Sequence, residues 1–249
     1  MKELAYGASH EINNPLANIA ARAQTLLRDE NDPQRRQALV AIHKQALRAH
    51  EMISDLMLFA RPPELIREKL DVNGLIERVT TEFSDACQLR AVKLITDLPE
   101  KSVEIEADAE QLAVALSALC ANGLEAIGTS GTITITLRHE SPGKATRSDR
   151  DDPGSQQYVV IEVMDDGPGL SEQACRHLFD PFYSGREAGR GLGFGLSKCW
   201  RIITEHGGTV SVAHRLDGQG SSRKTCFTLS LPTNSGEHST SSGQPKTVS

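Results

Sequence analysis

The chain has 249 residues, a length that predicts two domains, and its 38% hydrophobic content is enough for a packed core. Aromatics are only 4%, so that core must be mostly Leu, Ile, Val and Ala, which suits helix packing and an α/β layer. A net charge of -6 lacks the basic footprint of a nucleic-acid binder, and five scattered cysteines without a CxxC pair argue against a disulfide framework or a zinc site.

In residues 2–29, Ala5, Ile12, Ile19 and Leu26 recur every seventh position, with Leu16 and Ala23 on a second seam. In residues 34–60, Leu39, Ile42, Ala46, Ala49, Ile53, Leu56 and Ala60 follow steps of three and four. Both patterns predict helices with coiled-coil-like seams. Asn31-Asp32-Pro33 predicts the turn between them, with Asp32 as N-cap and Pro33 at the first helical position. The two helices form an antiparallel hairpin. Alone it buries little; a second copy completes a four-helix bundle, so a homodimer is expected. Arg61-Pro62-Pro63 ends the second helix, and residues 61–66 read as a linker.

The second domain is expected over residues 67–232. Val72–Leu89 predicts a helix, and Val92–Asp97 and Val103–Glu106 short strands. Asp108 with Gln111 predicts a capping box opening a helix through Ile127. Thr132–Arg138 alternates Thr with apolar residues, the period of a strand with one buried face. Ser141–Gln157 reads as an exposed hairpin loop. Strand Tyr158–Met164, helices Ser171–Leu178 and Gly195–His206, and strands Thr209–His214 and Thr225–Leu231 complete the domain. Residues 233–249, rich in Ser, Thr and Gly, read as a disordered tail.

Four stretches carry candidate chemistry. The first is His10-Glu11-Ile12-Asn13-Asn14-Pro15-Leu16. A helix turns about 100° per residue, which points His10 away from the Ile12 and Ile19 seam, toward solvent. An exposed imidazole on a rigid helix can act as a nucleophile if its proton has an acceptor, and Glu11 is the adjacent carboxylate. Asn14, one turn on, can orient a water. Pro15 should bend the helix there. Taken singly, an exposed histidine is an ordinary surface residue, and His43, His50 and His139 are read so.

The second stretch, Asn122-Gly123-Leu124-Glu125-Ala126, offers an amide oxygen suited to Mg²⁺ when phosphates and waters supply the other ligands, with Glu125 placed to hold a metal-bound water. The third, Asp165-Asp166-Gly167-Pro168-Gly169, puts a carboxylate at a strand end, where it can accept the exocyclic amine of adenine while Gly167 and Gly169 let backbone approach the base. The fourth, Gly189-Arg190-Gly191-Leu192-Gly193-Phe194-Gly195-Leu196, offers backbone amides to phosphate at a helix start. No GxxxxGK[ST] loop occurs, which excludes a P-loop.

The first stretch resembles the H-box of sensor histidine kinases, in its Asn-Pro variant. The other three resemble that family's ATP-binding motifs, in the same order; DNA gyrase, the MutL proteins and the heat-shock chaperone ATPases share them. The resemblance implies that His10 is the phosphoacceptor, Glu11 its base, and Glu11 with Asn14 the phosphatase pair. It places Mg²⁺ on Asn122, adenine on Asp165, and ATP phosphates by Gly189, Gly191, Leu192 and Gly193. Phe179–Arg186 resembles the F-box, so Leu170–Gly189 reads as a lid anchored by residues such as Phe182. Arg186, where the family usually has Lys, is the lid's phosphate contact. Ala118 departs from the Asn common in the family; the hydrolytic relatives carry a water-activating Glu there.

The expected fold is α plus α/β: a helical hairpin (residues 1–60) forming a dimeric four-helix bundle, then an α/β sandwich ATP-binding domain. The expected activity is ATP- and Mg²⁺-dependent autophosphorylation of His10, then transfer to an aspartate on the receiver domain of a separate response regulator. The alternatives are a degenerate nucleotide-binding scaffold and a gyrase- or MutL-like ATPase switch. No signal peptide or membrane span is visible, so a cytoplasmic chain is expected. Because only nine residues precede His10, a fragment fed by an upstream sensor is expected.

Overall fold

The computed structural model describes residues 2–60, 64–140, 157–180, 183, 193–216 and 223–233; of these, residues 2–11, 51, 54–60, 140, 216 and 223 are described by their backbone alone. The chain divides into two compact units, Met1–Glu64 and Leu65–Ser249.

The first unit is a hairpin of α1 (Lys2–Asp29) and α2 (Pro33–Ala60), and α1 continues through Pro15. Asp32 caps α2 as expected: its Oδ1 accepts the N–H groups of Gln34 and Arg35, each at 2.9 Å. Arg36 closes the turn by donating from Nη1 to the Leu27 carbonyl at 2.9 Å. Among the described residues of the hairpin, the buried apolar side chains are small: Ala20, Ala23 and Ala46. Such residues let two helices approach closely. His43 of α2 reaches across to α1, its Nδ1 lying 3.0 Å from the carbonyl oxygen of Ala20. It is therefore a half-buried bridge and not the plain surface residue its sequence suggested.

The larger apolar row faces elsewhere. Ile12, Ile19, Leu26 and Ile42 remain 47%, 45%, 60% and 48% exposed. The heptad of Ile12, Ile19 and Leu26 is thus a second apolar face of the hairpin, distinct from the one that meets α2.

In the second unit, β1 (Glu68–Asp71), α3 (Val72–Leu89), β2 (Val92–Asp97), β3 (Glu104–Ala107) and α4 (Ala109–Ile127) come first. Next are β4 (Gly131–Glu140), β5 (Tyr158–Asp165), α5 (Glu172–His177), α6 (Gly195–Glu205), β6 (Thr209–Leu216) and β7 (Arg223–Pro232). A five-stranded sheet has the order β2-β4-β5-β7-β6, with β2 parallel to β4 and the other pairs antiparallel. Its inner face contributes Ile133, Ile135, Ile161, Val163, Phe227 and Leu229 to a core with Leu112, Leu116 and Leu119 of α4. Strand alternation leaves Thr134, Thr136, Glu162 and Thr228 on the outer face. The result is a two-layer α/β sandwich.

Two local features differ from expectation. Strand β1 carries one apolar residue, Leu70, too little for a period-two signal; it forms by pairing antiparallel with β3, apart from the main sheet. At α4 the capping box is incomplete. Asp108 Oδ1 accepts the Gln111 N–H at 3.0 Å, but the Gln111 side chain reaches Asp108 Oδ2, at 3.3 Å. The N–H of Asp108 instead donates to Nε2 of His206, at 3.0 Å. All five cysteines are free and no described helix is long and apolar enough to cross a membrane.

Candidate active site

Helix α4 is where the described nucleotide motifs meet. Ala118, Asn122 and Ala126 lie four residues apart, on successive turns of one face. Three glycines mark where neighbouring elements meet this helix. A Cβ placed on Gly195, at the start of α6, would lie 3.9 Å from Ala118 Cβ. One placed on Gly123, beside Asn122, would lie 3.4 Å from Asp165 Cβ. One on Gly167 would meet Ala126 Cβ at 3.0 Å and Asp165 Oδ1 at 2.7 Å. Gly167 is therefore glycine because the loop after β5 is pressed on α4 and a side chain has no room.

Asp165 ends β5 and is only 2% exposed. Burial pushes its carboxyl up to about 6; the Gly167 N–H, donating to Oδ1 at 3.0 Å, pulls the other way, and neighbouring Asp166 adds to the rise. Asp166 holds the loop in place, because its Oδ1 accepts the Thr132 N–H at 2.7 Å and so ties the loop to β4. Gly169 has φ +82°, a conformation that favours glycine.

Asn122 is half-buried and Glu125 exposed on α4. Gly193 has φ +70° just ahead of α6. Phe194 in the cap position supplies no side-chain acceptor, which leaves the first-turn amides of α6 suited to an anion. His10 and Glu11 lie on α1 with backbone alone described, and Asn14 is exposed on the same helix. Phe182, Arg186, Gly189, Gly191 and Leu192 lie outside the described residues.

Two neighbours of Asp165 carried no sequence signal. In the strand register Asp165 stands opposite Thr225, and Thr225 opposite His214. Paired residues share a face, so the three form one row across β5, β7 and β6. Thr225 is buried, and the His214 ring lies against Gly169, where a Cβ would be 3.5 Å from Cε1. Only the pairing register brings these three together.

Asn122 offers one amide oxygen from a half-buried position on α4. No group of three or more His, Cys, Asp or Glu gathers to cage an ion among the described residues. Magnesium held by one amide and phosphate oxygens asks for no such cage.

A helical hairpin followed by an α/β sandwich with these motifs meeting at one helix defines a histidine-kinase-type catalytic core. The family model for the "His Kinase A (phospho-acceptor) domain" matches residues 1–64, and that for the "Histidine kinase-, DNA gyrase B-, and HSP90-like ATPase" matches residues 107–235. The chain belongs to the histidine kinase family. The sensor histidine kinase ZraS of Escherichia coli (strain K12) is 31% identical over 232 residues, covering 93% of this chain and 45% of ZraS. The signal transduction histidine-protein kinase AtoS of the same strain is 32% identical over 232 residues, covering 93% of this chain and 35% of AtoS. The chain thus spans less than half the length of these curated relatives. In fold it is similar to full-length ShkA in complex with AMPPNP, with a TM-score of 0.73 at 20% identity over 95% of this chain and 47% of ShkA. It is also similar to histidine kinase ThkA in complex with response regulator protein TrrA, with a TM-score of 0.61 at 23% identity over 93% of this chain and 61% of that one.

Proposed function

We propose that this chain is a cytoplasmic protein-histidine kinase that moves the γ-phosphoryl group of ATP onto His10 and then to an aspartate of a separate response regulator. The observation that carries the reading is the gathering of Asp165, Gly167, Asn122 and the start of α6 around α4. Residues 1–60 act as the dimerisation and phosphotransfer domain, 61–66 as linker and 67–232 as the ATP-binding domain.

In this reading the Asp165 carboxylate accepts the exocyclic amine of adenine, and Gly167 and Gly169 let the loop lie close to the base. Asn122 holds Mg²⁺ through its amide oxygen, with Glu125 on a metal-bound water; the ion neutralises polyphosphate charge when bound. The α6 N-terminus and Gly193 face the phosphates, with Gly189, Gly191, Leu192, Phe182 and Arg186 completing the lid. A ring nitrogen of His10 attacks the γ-phosphorus in line. The N–P bond forms, the bond to the bridging oxygen breaks, ADP leaves, and Glu11 accepts the ring proton. Transfer onward exchanges the N–P bond for an O–P bond on the regulator aspartate. Glu11 and Asn14 orient a water for the reverse, dephosphorylating reaction. Ala118 places no carboxylate where one would activate water against ATP.

Two observations support the partners. The exposed row of Ile12, Ile19, Leu26 and Ile42 suits a second copy of the hairpin, which supports a homodimer. The similar kinase ThkA has been seen in complex with a response regulator protein, which supports a receiver-domain partner.

The test is incubation with γ-labelled ATP and Mg²⁺. The expected result is an acid-labile, base-stable label on the protein that His10→Gln abolishes. Free phosphate without retained label would indicate a hydrolytic switch, and nucleotide binding with neither would indicate a scaffold; both refute the reading.

A further inference from the structure

The buried polar groups that phosphotransfer leaves unused gather at the other end of α4. Asp108 and His206 are 7% and 3% exposed. While Asp108 Oδ1 caps α4, its Oδ2 accepts the backbone N–H of Ile66 at 3.0 Å. His206 Nδ1 lies 2.8 Å from the Ile202 carbonyl, and its Nε2 accepts the Asp108 N–H. A carbonyl on one side and an amide donor on the other fix the ring as the neutral Nδ1–H tautomer. Beside it, Arg67 donates from Nη2 to the Glu205 carbonyl at 3.1 Å, at the end of α6. Strand β1 begins at the next residue, Glu68.

An ordinary helix cap needs only one oxygen of Asp108. The second, which the Gln111 side chain also reaches, accepts from the segment that enters this unit from the hairpin, and the cap is itself held by a histidine at the end of α6. The entering chain is thus bonded to both helices that carry nucleotide motifs, within two residues of the start of β1.

We propose that Asp108 and His206 are positioning residues for the phosphoryl transfer. Asp108, itself held by His206, fastens Ile66 to the start of α4, and Arg67, a third positioning residue, fastens itself to the end of α6; together they make the ATP-binding unit rigid from Ile66 onward and confine its swing to residues ahead of that point. This rests on the phosphotransfer reading above. A link that frees two more residues lets the unit sample a larger volume and more orientations, which lowers the effective concentration of bound ATP at His10. Nucleotide affinity, set at the opposite end of α4, stays as it was.

The experiment uses the full chain with Asp108→Ser and, separately, Arg67→Met. Serine keeps a hydroxyl to cap α4 but has no second oxygen for Ile66. Arg67→Met removes one exposed hydrogen bond and leaves the buried pair intact, so it reports even if Asp108→Ser folds poorly. Three quantities are read: hydrogen exchange across residues 65–68, ATP affinity by displacement of a fluorescent analogue, and the rate of label transfer to His10 at saturating ATP. We expect faster amide exchange, affinity within about twofold, and transfer slowed by about threefold. Freed amides with an unchanged transfer rate overturn the proposal. So does a loss of affinity equal to the loss of rate, which is what a merely structural role would give. A parent chain that never takes label fails one stage earlier, at the phosphotransfer reading, and the proposal falls with it.

Discussion

Replacing Asp165 by Asn should raise stability and lower nucleotide affinity together. Burial holds the folded-state carboxyl at about 6 against an ordinary 3.8. The folded protein therefore binds this proton more tightly than the unfolded chain does. Its contribution to stability is full below about pH 3.8 and is lost as pH rises through about 6. At about 1.4 kcal/mol per pH unit, the ionised side chain costs up to roughly 3 kcal/mol at neutral pH. Asparagine carries no charge to desolvate and keeps an oxygen for the Gly167 N–H. The variant should therefore melt several degrees higher at pH 8, with the gain vanishing toward pH 4. Affinity moves the other way, because a carboxylate is the stronger acceptor for the adenine amine. With half the carboxyl protonated near pH 6, the ratio of parent to variant affinity should fall about twofold between pH 8 and pH 6, and about tenfold by pH 5. Taking the ratio cancels the titration of the ATP phosphates. Thermal melts and displacement of a fluorescent ATP analogue, each from pH 5 to 8, measure both effects. A variant no more stable than the parent at pH 8, or an affinity ratio flat with pH, would refute the argument.

Gly167→Ala forces a methyl to within 2.7 Å of Asp165 Oδ1 and 3.2 Å of the Ala126 backbone. Overpacking of about 1–3 kcal/mol should move Asp165 and weaken ATP binding about tenfold in the same displacement assay; unchanged affinity would mean the loop does not carry the base. Ile19→Glu combined with Ile42→Glu should convert the proposed dimer to monomer in sedimentation velocity, since each half-exposed Ile has about 1 kcal/mol of burial left to gain. Dimers that survive both charges would show that the exposed row is not the interface. Asp32→Ala removes the acceptor of two amides at the start of α2 and should cost the hairpin about 1 kcal/mol, read as a lower melting temperature by helix circular dichroism.

Elements with their own local signal were legible in the sequence. Helix α3 and strand β2 match their expected bounds, and the Asp32-Pro33 start of α2 matches its expected cap, because caps and periodicity act over a few residues. Partners distant in the chain were not. The apolar periodicity of α1 marks two rows without saying which meets α2. The answer turns on size: alanines at 20, 23 and 46 allow close helix contact, so the Ile row is the one left outward. Strand β1 exists because β3 lies beside it, and Asp108 gives its N–H to a histidine 98 residues later. The candidate site divides in the same way. Asp165 and Asn122 stand out as motif members, whereas Thr225 and His214 become visible only through the register of three strands.

Ala118 shows how a departure from the family pattern changes meaning once packing is known. Read alone, it is a lost polar contact in the nucleotide site. In the fold it is the residue of α4 that lies nearest the would-be Cβ of Gly195, at 3.9 Å, which is ordinary van der Waals contact for one methyl group. Helices α4 and α6 can therefore come together with small groups at this point, which sets the start of α6 near the turn before Asn122. A longer side chain at position 118 would have to find its volume where α6 begins, beside the amides proposed to face phosphate. Alanine here favours closeness of the two helix ends over one more hydrogen bond. Ala118 lies one turn before Asn122, so the start of α6 sits near the turn of α4 from which the proposed magnesium ligand comes.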